Sequence, residues 1–515
     1  MSSIVPATLL VGVLSFGSSM ALATQLGATN ETDAYYIALS VPTLAYGVLV
    51  AALRLGAIPV MTQIDVSESI EQFSTACNQL VSATFVGAVA LSAVSTAVMM
   101  IVLPTVAEAG ASEELASLTR LYLFELSPYA VTGALLGVLG AILAVRGSFV
   151  AAVMVLAFEP ALKTILVLTF GQELGAQTLI IGNLLGGLIA VAMLWTLLRR
   201  HGVSVRPVGF TGSPVVRSIF LLSVPLMISQ SLLSLNPLID RAAAAGLEYG
   251  SVTIFELGVR LFSMPTSLLT GMLITPLAAT WAARLDTSGW SSVVESFGKV
   301  LTVLLLIVPP LVVLGFVMRQ ELVSVAYLSE RYSALDVRLT ADVLGVLLLG
   351  LLPQVTVVAI VTLFIVQRNT VFPMLVGVAN FVLNLTLNVV LRGPLGVSGI
   401  ALSTTITLTV LCVLLVAQAQ RLWGTLRLRE AVPILRLSMT SCVFIGATSM
   451  LVQQLGPTQA SRSQAAAMIL IARIAALIVH SLALFLGRST ISAVLASGDL
   501  WSPRSIGGLL RGRDQ

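Results

Sequence analysis

Apolar runs of about 20 residues, long enough to cross a hydrocarbon core of about 30 Å, recur about fourteen times along this chain. They fall near 4–26, 34–62, 78–104, 120–145, 148–170, 177–198, 215–237, 250–282, 300–318, 340–367, 371–391, 397–419, 433–454 and 465–487. The polar connections between them are too short to fold as a water-soluble domain. The pattern predicts an all-α polytopic membrane protein with about fourteen transmembrane helices. The second and eighth runs are longer than a perpendicular crossing needs, which predicts tilt or a proline bend. Both carry a Pro-Thr pair, Pro42-Thr43 and Pro265-Thr266, followed by a later proline, Pro59 and Pro276. Such paired, proline-interrupted spans suggest an internal repeat. A basic connection at 199–217 separates six runs from eight. We read 1–200 as an N-terminal lobe and 201–430 as a second, pseudo-symmetric six-helix lobe. Residues 431–488 then form two appended C-terminal helices, and 489–515 a basic cytoplasmic tail.

Composition agrees with this reading. Of 515 residues 57% are hydrophobic and only 10% charged, against about 25% charged in soluble domains. The net charge of +4 does not mark a nucleic-acid surface, because the basic residues follow the loops. With a cytoplasmic N-terminus, sixteen fall on the cytoplasmic side and seven on the other, which predicts a protein of the cell (cytoplasmic) membrane with both termini in the cytoplasm. Ala21-Leu22-Ala23 imitates a signal-peptidase site, but no Lys or Arg precedes it, and the segment reads as the first span. Cys77, Cys412 and Cys442 show no metal or disulfide spacing.

The candidate chemistry lies in polar side chains within the runs. A charge at the centre of a membrane helix costs roughly 2.5–3.5 kcal/mol on insertion scales, so it is retained where it faces a pathway or a partner. Arg54 stands in the second run. Glu256 and Arg260, four residues apart in the eighth, can pair on one helix face. Glu159 and Lys163 repeat that spacing in the fifth, with Pro160 between them. Asn380, Asn384, Asn388 and Arg392 form a stripe along the eleventh, which either joins helices or lines a pathway. Arg473 and His480 share a face of the last run, and His480 is a candidate titrating group. Asp240-Arg241 reads as the interfacial end of the seventh span. At the start of the second run, Thr32 or Asp33 reads as the helix cap, where an acid suits the positive helix end. We therefore take Arg54, Arg260, Glu256, Asn384 and Asn388 as substrate-binding candidates. Asp33, Glu159, Lys163 and His480 are candidates for coupling or gating. No Walker A, GxSxG or HExxH motif occurs, so we expect neither an ATP-driven pump nor an enzyme, and no cofactor or metal site. A coupling ion (Na+ or H+) and the membrane potential remain open as energy sources.

The stretch Gly27-Ala28-Thr29-Asn30-Glu31-Thr32-Asp33-Ala34-Tyr35-Tyr36, followed by Val41-Pro42, resembles the MviN/MurJ family of lipid-linked oligosaccharide flippases. Arg260-Leu261 with Met264-Pro265, and Asn388 with Gly393-Pro394-Leu395 and Gly399, are similar to further segments of that family. Asp33 and Arg260 match family positions. Arginines common in family helix one fall here on Gly12 and Ser18, a helix-two pair falls near Tyr46 and Gly47, and Arg54 is a displaced charge. The resemblance implies two lobes around a cationic site for a lipid diphosphate, with a groove for the lipid tail beside the last two helices. It implies a lipid II-like glycan as substrate, with membrane lipids and cell-wall synthesis proteins as partners, and no nucleic acid. A drug/cation antiporter of the same superfamily and a non-transporting scaffold in a cell-wall complex are the alternative readings.

Overall fold

The computed structural model describes residues 4–67, 70–108, 112–203, 213–367, 371–423 and 428–455, with a few further positions within 206–209 and 463–474. The first half of the chain contributes α1 (Ile4–Gln25), α2 (Asn30–Ser67), α3 (Ile70–Glu108), α4 (Glu113–Leu126), α5 (Tyr129–Val145), α6 (Phe149–Val155), α7 (Phe158–Leu174) and α8 (Gln177–Arg200). The second contributes α9 (Pro214–Ala245), α10 (Ser251–Leu269), α11 (Thr275–Val317), α12 (Arg319–Tyr327), α13 (Ala334–Leu349), α14 (Leu351–Val366), α15 (Val371–Trp423) and α16 (Leu428–Leu455). The described residues are helical throughout apart from turns, as the apolar runs predict.

Nine of these helices are long and apolar enough to cross a membrane, or eleven when each bent pair is taken as one span, among the described residues. Local chemistry explains why elements and runs differ. Gly396, at φ +57°, breaks the α15 segment where the eleventh and twelfth runs meet. Gly289, at φ +77°, divides α11 in the same way. The fourth run bends by 42° between α4 and α5, and the tenth by 44° between α13 and α14. In the eighth run Pro265 lies inside α10, a π-turn follows at Thr270–Ile274, and Pro276 opens α11. Proline lacks an N–H and crowds the preceding turn, so the helix widens there. The Pro-Thr pairs behave alike. Thr43 Oγ1 donates to the Leu39 carbonyl at 2.6 Å and Thr266 Oγ1 to that of Phe262 at 3.0 Å. Each hydroxyl bonds back by four residues beside a proline that cannot.

Apolar side chains face outward, with Ile101 75% and Phe124 72% exposed, while Asn183, Asn384 and Asn388 are buried. That inversion of the soluble pattern suits hydrocarbon as the outer solvent. Helices α1–α8 pack chiefly on one another, as do α9–α16, and the two groups meet mainly where α2 runs along α9.

Within the first group α7 lies close against α8 through small residues. A Cβ added at Gly186 would stand 2.7 Å from Glu159 Cα, and one at Gly182 would stand 2.9 Å from Lys163 Cα. Glycines four apart let two membrane helices approach to backbone contact. Gly186→Leu is therefore expected to lose about 1–3 kcal/mol through overpacking, read as a lower thermal midpoint of the purified protein. An unchanged midpoint would refute this close contact.

The predicted twelfth-to-fourteenth region is only partly covered. His480, Arg473, the tail from 489 and most of the fourteenth run lie outside the described residues, as does the side chain of Arg54.

Candidate functional site

Three turns come together at one end of the molecule, and they join the two halves. Helix α2 starts with a reciprocal cap: the Thr29 N–H donates to Thr32 Oγ1 at 2.9 Å, and the Thr32 N–H to Thr29 Oγ1 at 3.3 Å. Of the two cap candidates in the sequence, Thr32 takes the part and Asp33 is released from its own helix. Its carboxylate, 2% exposed, instead receives the first N–H groups of α10. Thr253 N–H donates to Oδ1 at 2.8 Å, Thr253 Oγ1 to the same oxygen at 2.6 Å, and Val252 N–H to Oδ2 at 3.4 Å. An acid suits the positive end of a helix, and here the helix belongs to the other half of the chain. Two glycines allow this closure. Gly250, at φ +78°, lies where a Cβ would stand 2.9 Å from that of Ala28. Gly27, at φ +74°, would place one 2.3 Å from the Arg331 carbonyl oxygen.

Below this latch the charged residues sort differently from their sequence spacing. Glu256 does not pair with Arg260. It receives Arg241 Nε at 2.6 Å, and both side chains are 14% exposed. Because α9 continues through Ala242–Ala245, Arg241 is carried inside the bundle rather than to an interface. Two neighbouring helices bring the pair together, and a near-buried charge is retained where it is neutralised at close range. Glu256 is consequently held by Arg241, and its expected pairing with Arg260 is corrected.

Arg260 is left alone. It is exposed, and among the described residues no hydrogen bond or ion pair holds its guanidinium. It stands on α10, which packs on α13 of its own half and on α2 of the other. Five N–H donors in a planar fork, without an internal acceptor, suit an anion such as a phosphate.

In the first half, Glu159 and Lys163 are near each other at 3.7 Å, as their spacing predicts. Lys163 Nζ donates to Asn183 Oδ1 at 2.9 Å, and Asn183 Nδ2 donates to the Tyr35 hydroxyl at 2.8 Å. The Tyr129 hydroxyl donates to Glu159, 2.9 Å from each oxygen.

A second buried network lies within the other half. Asn388 Nδ2 donates to Asp240 Oδ1 at 2.6 Å and to Asn384 Oδ1 at 2.9 Å, and Ser403 Oγ donates to Asn388 Oδ1 at 2.5 Å. Asn384 and Asn388 are no more than 2% exposed, so their amides join α15 to α9 rather than meeting the space around Arg260. Asp240, read from sequence as interfacial, is 7% exposed and is the acid at the centre of this network. The signal that could have placed it is the alanine run after it, which extends the helix one further turn. Among the described residues no three His, Cys, Asp or Glu side chains gather as a metal site.

With this geometry in hand, the comparisons are consistent with one another. A family model described as lipid II flippase MurJ matches residues 22–494. A probable lipid II flippase MurJ of Vibrio cholerae is 24% identical over 466 residues, covering 85% of this chain and 86% of that protein. One of Bdellovibrio bacteriovorus is 25% identical over 238 residues, and there the match spans only 45% of each chain. In fold, the chain is similar to a solved lipid II flippase MurJ in an inward closed conformation. The TM-score is 0.78 at 17% identity, covering 95% of this chain and 100% of that one. An inward-facing multidrug resistance transporter of the MATE family gives 0.67 at 16% identity, covering 81% of this chain and 95% of that one. The chain is a multi-pass membrane protein and belongs to the MurJ lipid II flippase family.

Proposed function

We propose that this protein moves a polyprenyl-diphosphate-linked saccharide of the lipid II type across the cytoplasmic membrane by alternating access, as a carrier and not an enzyme. The observation that carries this reading is an exposed guanidinium, Arg260, without a partner among the described residues, on a helix that touches both halves, which are latched at one end by Asp33. The family supports it over a drug/cation antiporter or a scaffold. With both termini in the cytoplasm, the latch lies on the outer face and the halves separate towards the cytoplasm to admit the head group. Residues 1–200 and 201–430 would rock as two lobes. A diphosphate must lose hydration on entering, and arginine replaces those bonds with charge-assisted ones.

The coupling site we assign is Asp240. A buried acid is neutral, or it is balanced by a cation. A proton on the carboxylate, or a monovalent cation that rearranges the amides around it, would neutralise Asp240. Asp33, bound to a helix N-terminus, serves the latch.

Leaflet transfer of a fluorescent lipid II analogue in proteoliposomes tests both parts, with an imposed Na+ gradient, a proton gradient or neither. Wild-type protein is expected to transfer the lipid and to respond to one gradient, and Asp240→Asn to transfer without that response. No transfer by folded wild-type protein under any condition would refute the flippase reading. Gradient-independent wild-type transfer would remove Asp240 from its role.

A further inference from the structure

An acid four residues before an arginine on one helix is its natural partner. The two side chains are neighbours on one face, and the order acid then base is the favourable one. Glu256 and Arg260 hold that relation within α10. Glu256 is nevertheless turned to Arg241 of α9, with Nε 2.6 Å from Oε1. That is a closed, charge-assisted contact, and both side chains are 14% exposed, so water competes little for either. Arg241 is itself fixed in place. Asp240, its neighbour in sequence, receives Asn388 Nδ2 of α15 at 2.6 Å, which anchors this turn of α9. Arg260, by contrast, is exposed and has no partner among the described residues. A Glu256–Arg260 pair at that exposed position would add little stability, yet it would take up donors that an anion needs.

We propose that Arg241 is a positioning residue for the head-group site: by holding Glu256 it keeps that carboxylate away from the Arg260 guanidinium, which stays open to the substrate's diphosphate. Arg241 itself touches no substrate. Without it, a near-buried carboxylate loses its base, which is costly, and Arg260 stands one turn away at the favourable spacing. The diphosphate would then have to displace an acid tethered to the same helix before it gained the guanidinium fork. The proposal rests on the diphosphate reading above and adds to it a residue from a second helix.

Equilibrium binding of a polyprenyl diphosphate to the full-length protein in nanodiscs, with a thermal midpoint for each variant, tests this. Arg241→Gln and Glu256→Gln break the same ion pair, and each strands one near-buried charge, so both are expected to lower the midpoint. They differ in the charge that stays behind. Arg241→Gln leaves the acid and is expected to weaken binding about tenfold, the lower end of what a hydrogen bond to a charged group supplies. Glu256→Gln leaves no acid, and its affinity is expected to equal or exceed that of wild type. The double variant Arg241→Gln/Glu256→Gln is expected to bind as wild type does. Met264→Glu puts an acid without a base four residues after Arg260 while the Arg241–Glu256 pair stays intact, and a similar loss is expected there. A purely structural pair predicts that both single variants lose affinity in step with their midpoints, and that result overturns the proposal. A double variant as weak as Arg241→Gln overturns it as well, since Arg241 would then meet the substrate itself. So does wild-type affinity in Arg241→Gln, or in Met264→Glu where Arg241→Gln does not fold, while the flippase reading stands. Absence of binding by wild-type protein overturns the diphosphate reading and the proposal with it.

Discussion

Arg260→Ala is expected to reduce transfer of a lipid-linked glycan by about 10- to 100-fold while leaving the fold intact. The magnitude follows from the bonds lost. A hydrogen bond to a charged group contributes about 1.5–3 kcal/mol, and each 1.4 kcal/mol is about a tenfold change in affinity. The spared stability follows from the geometry, because the guanidinium has no partner among the described residues that its removal would strand. Surface-like substitutions of this kind usually stay within about 0.5 kcal/mol. Arg260→Lys keeps the charge but loses the planar fork, so it should fall between wild type and alanine. Proteoliposome transfer together with a thermal midpoint checks both halves of the expectation. Full transfer by Arg260→Ala would remove this residue from the substrate site. A collapsed midpoint would show that it holds the structure rather than the ligand.

Asp33→Ala should act by a different route, on the balance between conformations. Its carboxylate receives two backbone N–H groups and a hydroxyl from Val252 and Thr253, and all lie out of solvent. Loss of a helix cap costs about 0.5–2 kcal/mol, and unsatisfied buried donors add to that. A shift of about 2 kcal/mol against the latched state changes its ratio to the open state roughly thirtyfold. Spin labels at the exposed positions Glu113 and Leu335, on opposite halves near the latch, would report it. The distance distribution is expected to broaden and lengthen in Asp33→Ala, with Asp33→Asn intermediate because its amide oxygen still accepts. An unchanged distribution in the alanine variant would mean that the glycine contacts alone, at Gly27 and Gly250, hold this end closed.

The two substitutions also show how far the sequence could be read. Arg260 was identified because a charge in an apolar run is costly wherever the helix ends up. Asp33 was singled out as a cap, yet the helix it caps begins more than 200 residues later, with Thr253 lying 220 positions on. Glu256 had two arginines within reach in principle. Spacing favoured Arg260, but the packing of α9 on α10 brought Arg241 to 2.6 Å. Asp240 was misplaced for a related reason. The predicted seventh span stopped at 237, whereas α9 runs to Ala245 and carries the acid into the interior. The asparagine stripe was legible as a stripe, but whether it faced a pathway or another helix depended on Asp240 and Ser403 lying opposite it.

The sequence by itself determined that this chain is a helical membrane protein with costly polar groups inside its apolar runs, and its motifs pointed to the family. Those properties are local, since each apolar run and each loop arginine meets the bilayer on its own terms whatever its neighbours do. Only the tertiary structure decided which acid neutralises which base, which arginine has no partner among the described residues, and which turn latches the halves. Those choices depend on distances of 3 Å between residues far apart in the chain, and no periodicity within one helix records them.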